Sequence, residues 1–451
     1  MTPRGPSIDA PREAAFRCIR AVEAEDAYAN LAMPGFLSSL GLKGRDAAFA
    51  TELAYGTLRM RGLYDAAIAH AARRDPSALD NPVRWSLWLG AHQALSMRVP
   101  PHAAVSETVD LARRHGGPRV APLVNAVMRR IVERDLEAWR AVVAPARTRD
   151  DMAIRHSHPQ WVVKELADAL LADGRPTELE ALLVADNTPA PVTLVARPGL
   201  ARREDLAAPP TRWSPWGATL AGGDPGDIPA VASGTAAVQD EGSQLVAGAL
   251  VTHRAVGSGE RWLDMCAGPG GKAALLGAIA AQQGATLQAN ELHEHRADLV
   301  RRAVRAVPEG VVEVTRADSR ELPAHAFDRV LLDAPCTGLG ALRRRPESRW
   351  RREPADIAVL GELQAELLAA AAGAVKPGGI VAYVTCSPVL GETRDVVSGV
   401  RGLEIVDARP AMAALTGTEP EEWGKGPHVQ LWPHAHGTDA MYLALLESPR
   451  G

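Results

Sequence analysis

Cys336 in LLDAPCTGLG (331–340), Cys386 in YVTCSP (383–388) and, upstream of both, the glycine loop LDMCAGPGGK (263–272) are the stretches of this chain best suited to covalent chemistry. A thiolate acts as a nucleophile that divides one difficult step into two easier ones. Carbon 5 of cytosine or uracil is too weak a nucleophile to take a methyl group until a thiolate has added to carbon 6. One cysteine can open that reaction and another can close it. From the residues alone either thiol could attack, and the ordered trio points to methyl transfer onto a pyrimidine ring.

The glycine loop lies between a strand-like WLDM and a helix-like KAALLGAIAAQQ, so the amides near Gly268, Gly270 and Gly271 face a ligand without side chains in the way. A Walker phosphate loop would need glycine at 266 and Ser or Thr at 273, where this chain has Cys266 and Ala273. The glycine spacing does not fit the dinucleotide fingerprint either, which leaves a structural tight turn as the plain alternative. Glu291, Asp318 and Asp333 each follow a strand-like run. Taken singly, such acids are commonly helix caps or solvated loop residues. At three successive strand ends they form a row of acceptors suited to S-adenosylmethionine, with its ribose, adenine amino group and sulfonium cation.

A lone cysteine is ordinarily an inert, buried residue. Cys336 and Cys386 both follow predicted strands, the fourth and fifth, which adjoin in the usual sheet order. No His/Cys cluster surrounds them, so metal ligation is not expected, and a reducing compartment argues against a stable disulfide. Directly after Cys336 comes ALRRRPESRWRR (341–352), whose arginines could grip phosphates while Trp350 stacks on an unpaired base. The plain alternative is a solvated, salt-bridged loop.

What must position these residues is legible in the texture of the chain. Its 451 residues suggest two or three domains, and 46% hydrophobic with 23% charged residues is ordinary globular composition. A formal net charge of -4 argues for no partner, and four scattered cysteines fit neither a zinc site nor a secreted disulfide framework. The N-terminal run lacks an apolar leader core and no uninterrupted apolar stretch approaches a membrane span, so a cytoplasmic location is expected.

Residues 1–144 read as helices punctuated at Pro34-Gly35, Asp75-Pro76, Asn81-Pro82, Pro100-Pro101 and Gly116-Gly117-Pro118. Residues 145–235 read as a small α+β connecting module with one strand, VTLVAR (192–197). From 236 to 451 strands and helices alternate, the signature of a doubly wound parallel sheet, with strands at 262–265, 285–290, 311–316, 329–333, 380–385 and 441–447. Ligands bind such sheets outside the carboxyl ends of the strands, where every motif above falls.

Together the motifs resemble the RNA cytosine-5 methyltransferases, and specifically the bacterial Sun/RsmB (Fmu) family. The resemblance covers nearly the whole chain. AYANL (27–31), ATELAYGTLR (50–59) and APLVNAVMRR (121–130) look like the all-α NusB-like RNA-binding domain of those enzymes, while VQDEGSQ (238–244), CAGPGGK, DAPCTGLG and TCSP match the Rossmann-type catalytic domain that follows a connector. By this resemblance Cys266, Ala267, Gly268, Pro269, Gly270, Gly271 and Lys272 form the S-adenosylmethionine loop, with Glu291, Asp318 and Asp333 as further cofactor-site acids; Asp333 also touches the target base. Cys386 becomes the nucleophile, and Cys336 assists proton removal and release. The family pattern differs from that of DNA cytosine methylases, whose nucleophile follows the fourth strand and whose Glu-Asn-Val motif this chain lacks. After Cys386 the chain reads PVLGETRDVV where many relatives have Glu-Glu-Asn, leaving Glu392 as the one acidic match.

The expectation is a monomeric, metal-free enzyme that methylates carbon 5 of a cytosine in RNA, first of all 16S ribosomal RNA. The alternatives are the same chemistry on transfer RNA or another ribosomal site, and a non-catalytic RNA-binding or antitermination factor.

Overall fold

Helix formation in the first third of the chain starts from capping residues. The Asp9 side chain accepts the backbone N–H of Arg12, and Pro11 occupies the first turn of α1 (Ala10–Ala24), whose Ala14, Ala15, Cys18, Ile19 and Val22 form one buried stripe. The computed structural model describes residues 9–146 and 148–450. The first eight residues, part of the N-terminal run in which no apolar leader core was expected, lie outside the described residues.

Two units result. One comprises the chain up to Lys164 together with Asp186–Thr188 and Leu342–Arg351; the other comprises Glu165–Ala185, Pro189–Ala341 and Arg352–Gly451. The stretch 236–451, expected to be continuous, is thus interrupted by a segment that belongs to the helical unit.

The helical unit continues through α2 (Ala29–Ser39), α3 (Gly44–Ala72), α4 (Asn81–Leu95), α5 (Pro101–Gly116), α6 (Ala121–Ile131), α7 (Leu136–Val143) and α8 (Arg149–Arg155). Its core gathers Ile19, Leu58, Tyr64, Trp88 and Trp139, all buried. Four of the five predicted breaks fall at helix ends or between helices. Pro34, in contrast, lies inside α2, where its missing N–H forgoes one helical hydrogen bond while Ala29 and Met33 are buried.

In the other unit β1 (Val192–Ala196) pairs antiparallel with β2 (Gly217–Leu220) and β3 (Ala236–Val238). The predicted strand is β1, and its two partners were not foreseen. VQDEGSQ joins this small sheet to the next helix: Glu241 accepts the amides of Trp213 (2.6 Å) and Ser214 (2.7 Å), and Gln244 donates to the Leu194 carbonyl (3.2 Å).

The large sheet contains β4 (Arg261–Asp264), β5 (Thr286–Asn290), β6 (Val312–Thr315), β7 (Phe327–Asp333), β8 (Val375–Thr385), β9 (Glu404–Val406), β10 (Val429–Gln430) and β11 (Tyr442–Glu447). Its order is β10-β11-β8-β7-β4-β5-β6, with β9 also on β11. The run from β8 to β6 is parallel and β11 is antiparallel to β8. Strand alternation sends Val330, Leu332, Val381 and Tyr383 into one layer and Leu331, Ala382 and Val384 into the other. This is the expected Rossmann-type sheet, and its strand order reverses at the β4–β7 boundary.

The helix Pro354–Ala374 has the length and apolarity of a membrane span by composition. It carries Glu362, Gln364 and Glu366, and it buries Leu367, Leu368, Ala371 and Ala374 in the core that contains β7 and β8.

Candidate active site

β7 and β8 run parallel with Asp333 opposite Val384, and the Ala334 amide continues the ladder to the Val384 carbonyl at 2.9 Å. The loops leaving these two strand ends therefore start side by side. Cys336 and Cys386 meet there, with their Sγ atoms 3.4 Å apart and both residues partly exposed. The Cys336 thiol is pushed well above its usual range, first by its hydrogen bond to Cys386, then by burial, then by the charges of Cys386 and Glu392. Of the pair, Cys336 is the thiol held in its protonated form. The last glycine of DAPCTGLG explains itself here: Gly340 donates to the Cys386 carbonyl at 2.9 Å, and a Cβ at this position would lie 2.0 Å from the Ala440 carbonyl oxygen.

The glycine loop leaves β4 at the neighbouring strand end. The Ala267 amide donates to the Asn290 carbonyl (2.9 Å), the Gly268 amide donates to Glu291 Oε2 (3.1 Å), and Arg296 Nη2 donates to the Gly268 carbonyl (2.7 Å). The Gly268–Pro269 peptide is cis. Gly270, with φ +108°, takes a left-handed conformation, and a Cβ there would lie 2.5 Å from the Ala303 Cβ. Gly271 opens the helix Gly271–Gln283, whose first turn carries Lys272. Lys272 Nζ donates to Asp333 Oδ2 at 2.7 Å. Burial works against its ammonium, but the charges of Asp333 and Cys386 outweigh it and raise its pKa. Cys266 is a different kind of thiol, raised by burial beyond any reactive range.

The predicted residues thus divide. The loop from Cys266 to Lys272, Glu291, Asp333, Cys336 and Cys386 lie at adjoining carboxyl ends of β4, β5, β7 and β8. Asp318 follows β6 as expected, but its carboxylate is bound by Arg320 at 2.6 Å and caps the turn Ser319–Glu321, which holds it down at about 2.

Two groups escaped the sequence reading. Asn290, fully buried, donates to the Ala317 carbonyl (2.9 Å) and Ser319 Oγ (2.8 Å) and so ties the ends of β5 and β6 together. Asp264, the last residue of β4, is 1% exposed, and among the described residues neither carboxylate oxygen has a partner at hydrogen-bond geometry. Burial and the nearby charge of Asp333 push it up to about 8, against the favourable influence of Lys272 and the Cys266 amide. An uncompensated acceptor pair beside an open-backed glycine loop fits a cationic ligand with hydrogen-bond donors, and S-adenosylmethionine has both. Among the described residues no group of His, Cys, Asp and Glu is arranged to hold a metal ion.

The arginine run requires a correction. Arg349 is wholly buried in the helical unit, donating to the Ser157 carbonyl (3.0 Å) and Asn187 Oδ1 (2.9 Å). Arg351 donates to the carbonyls of Val22 and Ala27, and the Trp350 ring packs against Gly62 with Arg61 5.0 Å from its centroid. Backbone carbonyls that need donors have absorbed side chains expected to face RNA. Arg352 alone of these three arginines stays at the cysteine loop, donating to the Thr337 carbonyl at 3.2 Å.

Comparison with known proteins finds relatives over nearly the whole chain. Residues 252–447 match the family described as 16S rRNA methyltransferase RsmB/F, and residues 9–133 match the NusB family. MT1451 of Mycobacterium tuberculosis (strain CDC 1551 / Oshkosh), named as a methyltransferase without a substrate, is 49% identical over 99% of each chain. The ribosomal RNA small subunit methyltransferase B of Pseudomonas syringae pv. tomato (strain ATCC BAA-871 / DC3000) is 33% identical over 97% of this chain and 96% of its own. In fold, the crystal structure of PH0851 is similar over 99% of this chain and all of its own, with a TM-score of 0.79 at 23% identity.

Proposed function

Because this chain belongs to the RsmB/F family of S-adenosylmethionine-dependent rRNA methyltransferases, we propose that it methylates carbon 5 of a cytosine in small-subunit ribosomal RNA through a covalent adduct on Cys386. The donor, when bound along the loop from Cys266 to Lys272, supplies an electrophilic methyl group on a sulfonium. The rest of the chemistry belongs to the side chains.

Cys386, charged within the thiol pair and near the Lys272 ammonium, adds through Sγ to carbon 6 of the base. That addition pushes electron density onto carbon 5. Asp333, held by Lys272, faces the base from the end of β7. Once Cys386 is a thioether its charge is gone, and with it the leading reason why Cys336 keeps its proton. Cys336 then loses that proton to water, takes the one from carbon 5, and the bond from carbon 6 to Cys386 breaks. The bound pair thus turns an acid into a base between the first and last steps. The target must be unstacked to reach the sheet edge, and the NusB-family helical unit supports RNA placement.

The observation that carries this reading is the 3.4 Å contact between two thiols at adjacent parallel strand ends, with the Cys336 proton held by its neighbours. The test pairs two variants with RNA and labelled donor: Cys386→Ala abolishes methyl transfer, and Cys336→Ala accumulates a covalent protein–RNA adduct. Methylation by Cys386→Ala would overturn the assignment. Bisulfite sequencing of RNA from a deletion strain identifies the lost methylcytosine, and a loss confined to transfer RNA would redirect the substrate.

A further inference from the structure

Glu392 is completely buried in the turn Leu390–Glu392, six residues beyond Cys386. A carboxylate removed from water must find donors inside the protein. Glu392 finds four: the Thr337 amide (2.6 Å), the Thr337 hydroxyl (2.5 Å), the Ser387 hydroxyl (2.6 Å) and Gln364 Nε2 (3.4 Å). Thr337 directly follows Cys336 and Ser387 directly follows Cys386. One carboxylate therefore holds the residue after each thiol, and its two oxygens span the two loops.

Neighbouring contacts make the grip stiff. Gln364 also donates to the carbonyl of Pro335, the residue before Cys336, at 2.8 Å. The Tyr383 hydroxyl donates to the Glu392 main-chain carbonyl at 2.7 Å, anchoring the turn to β8. The helix carrying Gln364 approaches the turn so closely that a Cβ on Gly361 would lie 2.8 Å from the Gly391 carbonyl oxygen.

We propose that Glu392 is a positioning residue for methyl transfer: its carboxylate locks the Cys336 and Cys386 loops together so that the two thiols keep their contact through attack and release. The Gly340–Cys386 main-chain bond and the 3.2 Å contact between the Thr337 and Ser387 hydroxyls also tie the two loops, and the carboxylate braces both sides of that hydroxyl contact. Charge-assisted bonds to hydroxyls and an amide suit the task, being short and directional. The negative charge has a second effect in the same direction, because it helps keep the proton on Cys336 while Cys386 attacks. The other groups facing the pair are Tyr383 beside Cys336 and the Lys272–Asp333 pair beside Cys386.

This inference rests on the proposed division of labour between the thiols, and the experiment separates the two. Full-length Glu392→Ala, Glu392→Gln and the double variant Thr337→Val/Ser387→Ala are compared with the parent protein by two measurements. The first is kcat and KM for methyl transfer. The second is the rate at which diamide, a two-electron thiol oxidant that is itself reduced to the hydrazide, joins Cys336 and Cys386 in a disulfide, read by peptide mass.

Glu392→Ala and the double variant should lose about 10- to 100-fold in kcat with KM nearly unchanged, and should form the disulfide about tenfold more slowly. Glu392→Gln keeps a carbonyl for the Thr337 amide and offers hydrogens to the two hydroxyls, so it should recover most of both rates. If Glu392→Ala fails to fold, the glutamine and double variants carry the test. A double variant with parental kcat and parental disulfide rate overturns the clamp. Clamp-dependent disulfide formation in a protein whose Cys386→Ala variant still methylates would instead leave the clamp standing and sink the thiol chemistry.

Discussion

Lys272 and Asp333 form an ion pair at 2.7 Å, joining the first turn after the glycine loop to the last residue of β7. Through this one contact the donor loop and the cysteine loops share a charge, because Lys272 also feels Cys386. Lys272→Gln should therefore slow iodoacetamide labelling of Cys386 at neutral pH and lower kcat by about 10- to 100-fold, while Lys272→Arg retains part of both. Parental labelling of Cys386 in Lys272→Gln would show that the ammonium does not assist the thiolate.

The four cysteines should label in a fixed order. Cys386 reacts first; Cys336, raised well above the usual thiol range while the Cys386 thiol is free, follows only after Cys386 has been capped. Cys18, buried and pushed up to about 12, and Cys266, raised further still, stay unlabelled in the folded protein. Mass spectrometry of alkylated peptides across pH 6–10 reads the order, and early labelling of Cys336 contradicts the proton assignment.

Asp264 makes stability and donor binding depend on pH. Its folded-state pKa of about 8 lies above the roughly 3.9 of an unfolded aspartate. The folded protein therefore holds a proton that the unfolded chain has lost, and the stability tied to this group, full below pH ~4, falls as pH rises towards 8. Asp264→Asn lacks this slope, so its Tm should gain on the parent between pH 5 and 9. A bound cation favours the carboxylate, so donor binding at pH 7 should release a proton in the parent and none in Asp264→Asn. Calorimetry in buffers of different ionisation enthalpy measures that release, and proton uptake by the parent would refute it.

Arg349 should behave as core. Arg349→Gln strips a buried cation from the Ser157 carbonyl and Asn187, and is expected to cost about 2–5 kcal/mol in the stability of the helical unit. The salt dependence of RNA binding should keep its slope, whereas loss of a phosphate contact would lower it by about one. A reduced slope with unchanged Tm would restore the residue to the RNA face.

Legibility followed locality. β4 to β8 and β11 were legible as short strand-type stretches bounded by polar or turn residues, and the motifs marked the carboxyl ends of β4, β7 and β8. β9 and β10, of three and two residues, carry no pattern of their own and exist by pairing with β11. Of the stretch GETRDVVSGV (391–400) only Arg394–Ser398 is α-helical, because Thr393 at φ -129°, ψ -96° breaks it from the turn that buries Glu392. The arginine run misled for a physical reason: charge density in sequence is indifferent to distant carbonyls, and those of Val22, Ala27 and Ser157 decided the outcome. Asp264 was invisible because a lone acid at a strand end looks like any other until its missing partners are seen.

The inclusion of Leu342–Arg351 in the helical unit has a consequence in time. Most of that unit has left the ribosome once Lys164 has emerged, yet the residues that bring Arg349 and Trp350 to it are made much later. At ~5–20 residues per second the wait is roughly 10–40 s. During that interval the carbonyls of Ser157, Val22 and Ala27 lack the donors they have in the finished protein. The helical unit is therefore completed only after the cysteine loop at Cys336 has been synthesised.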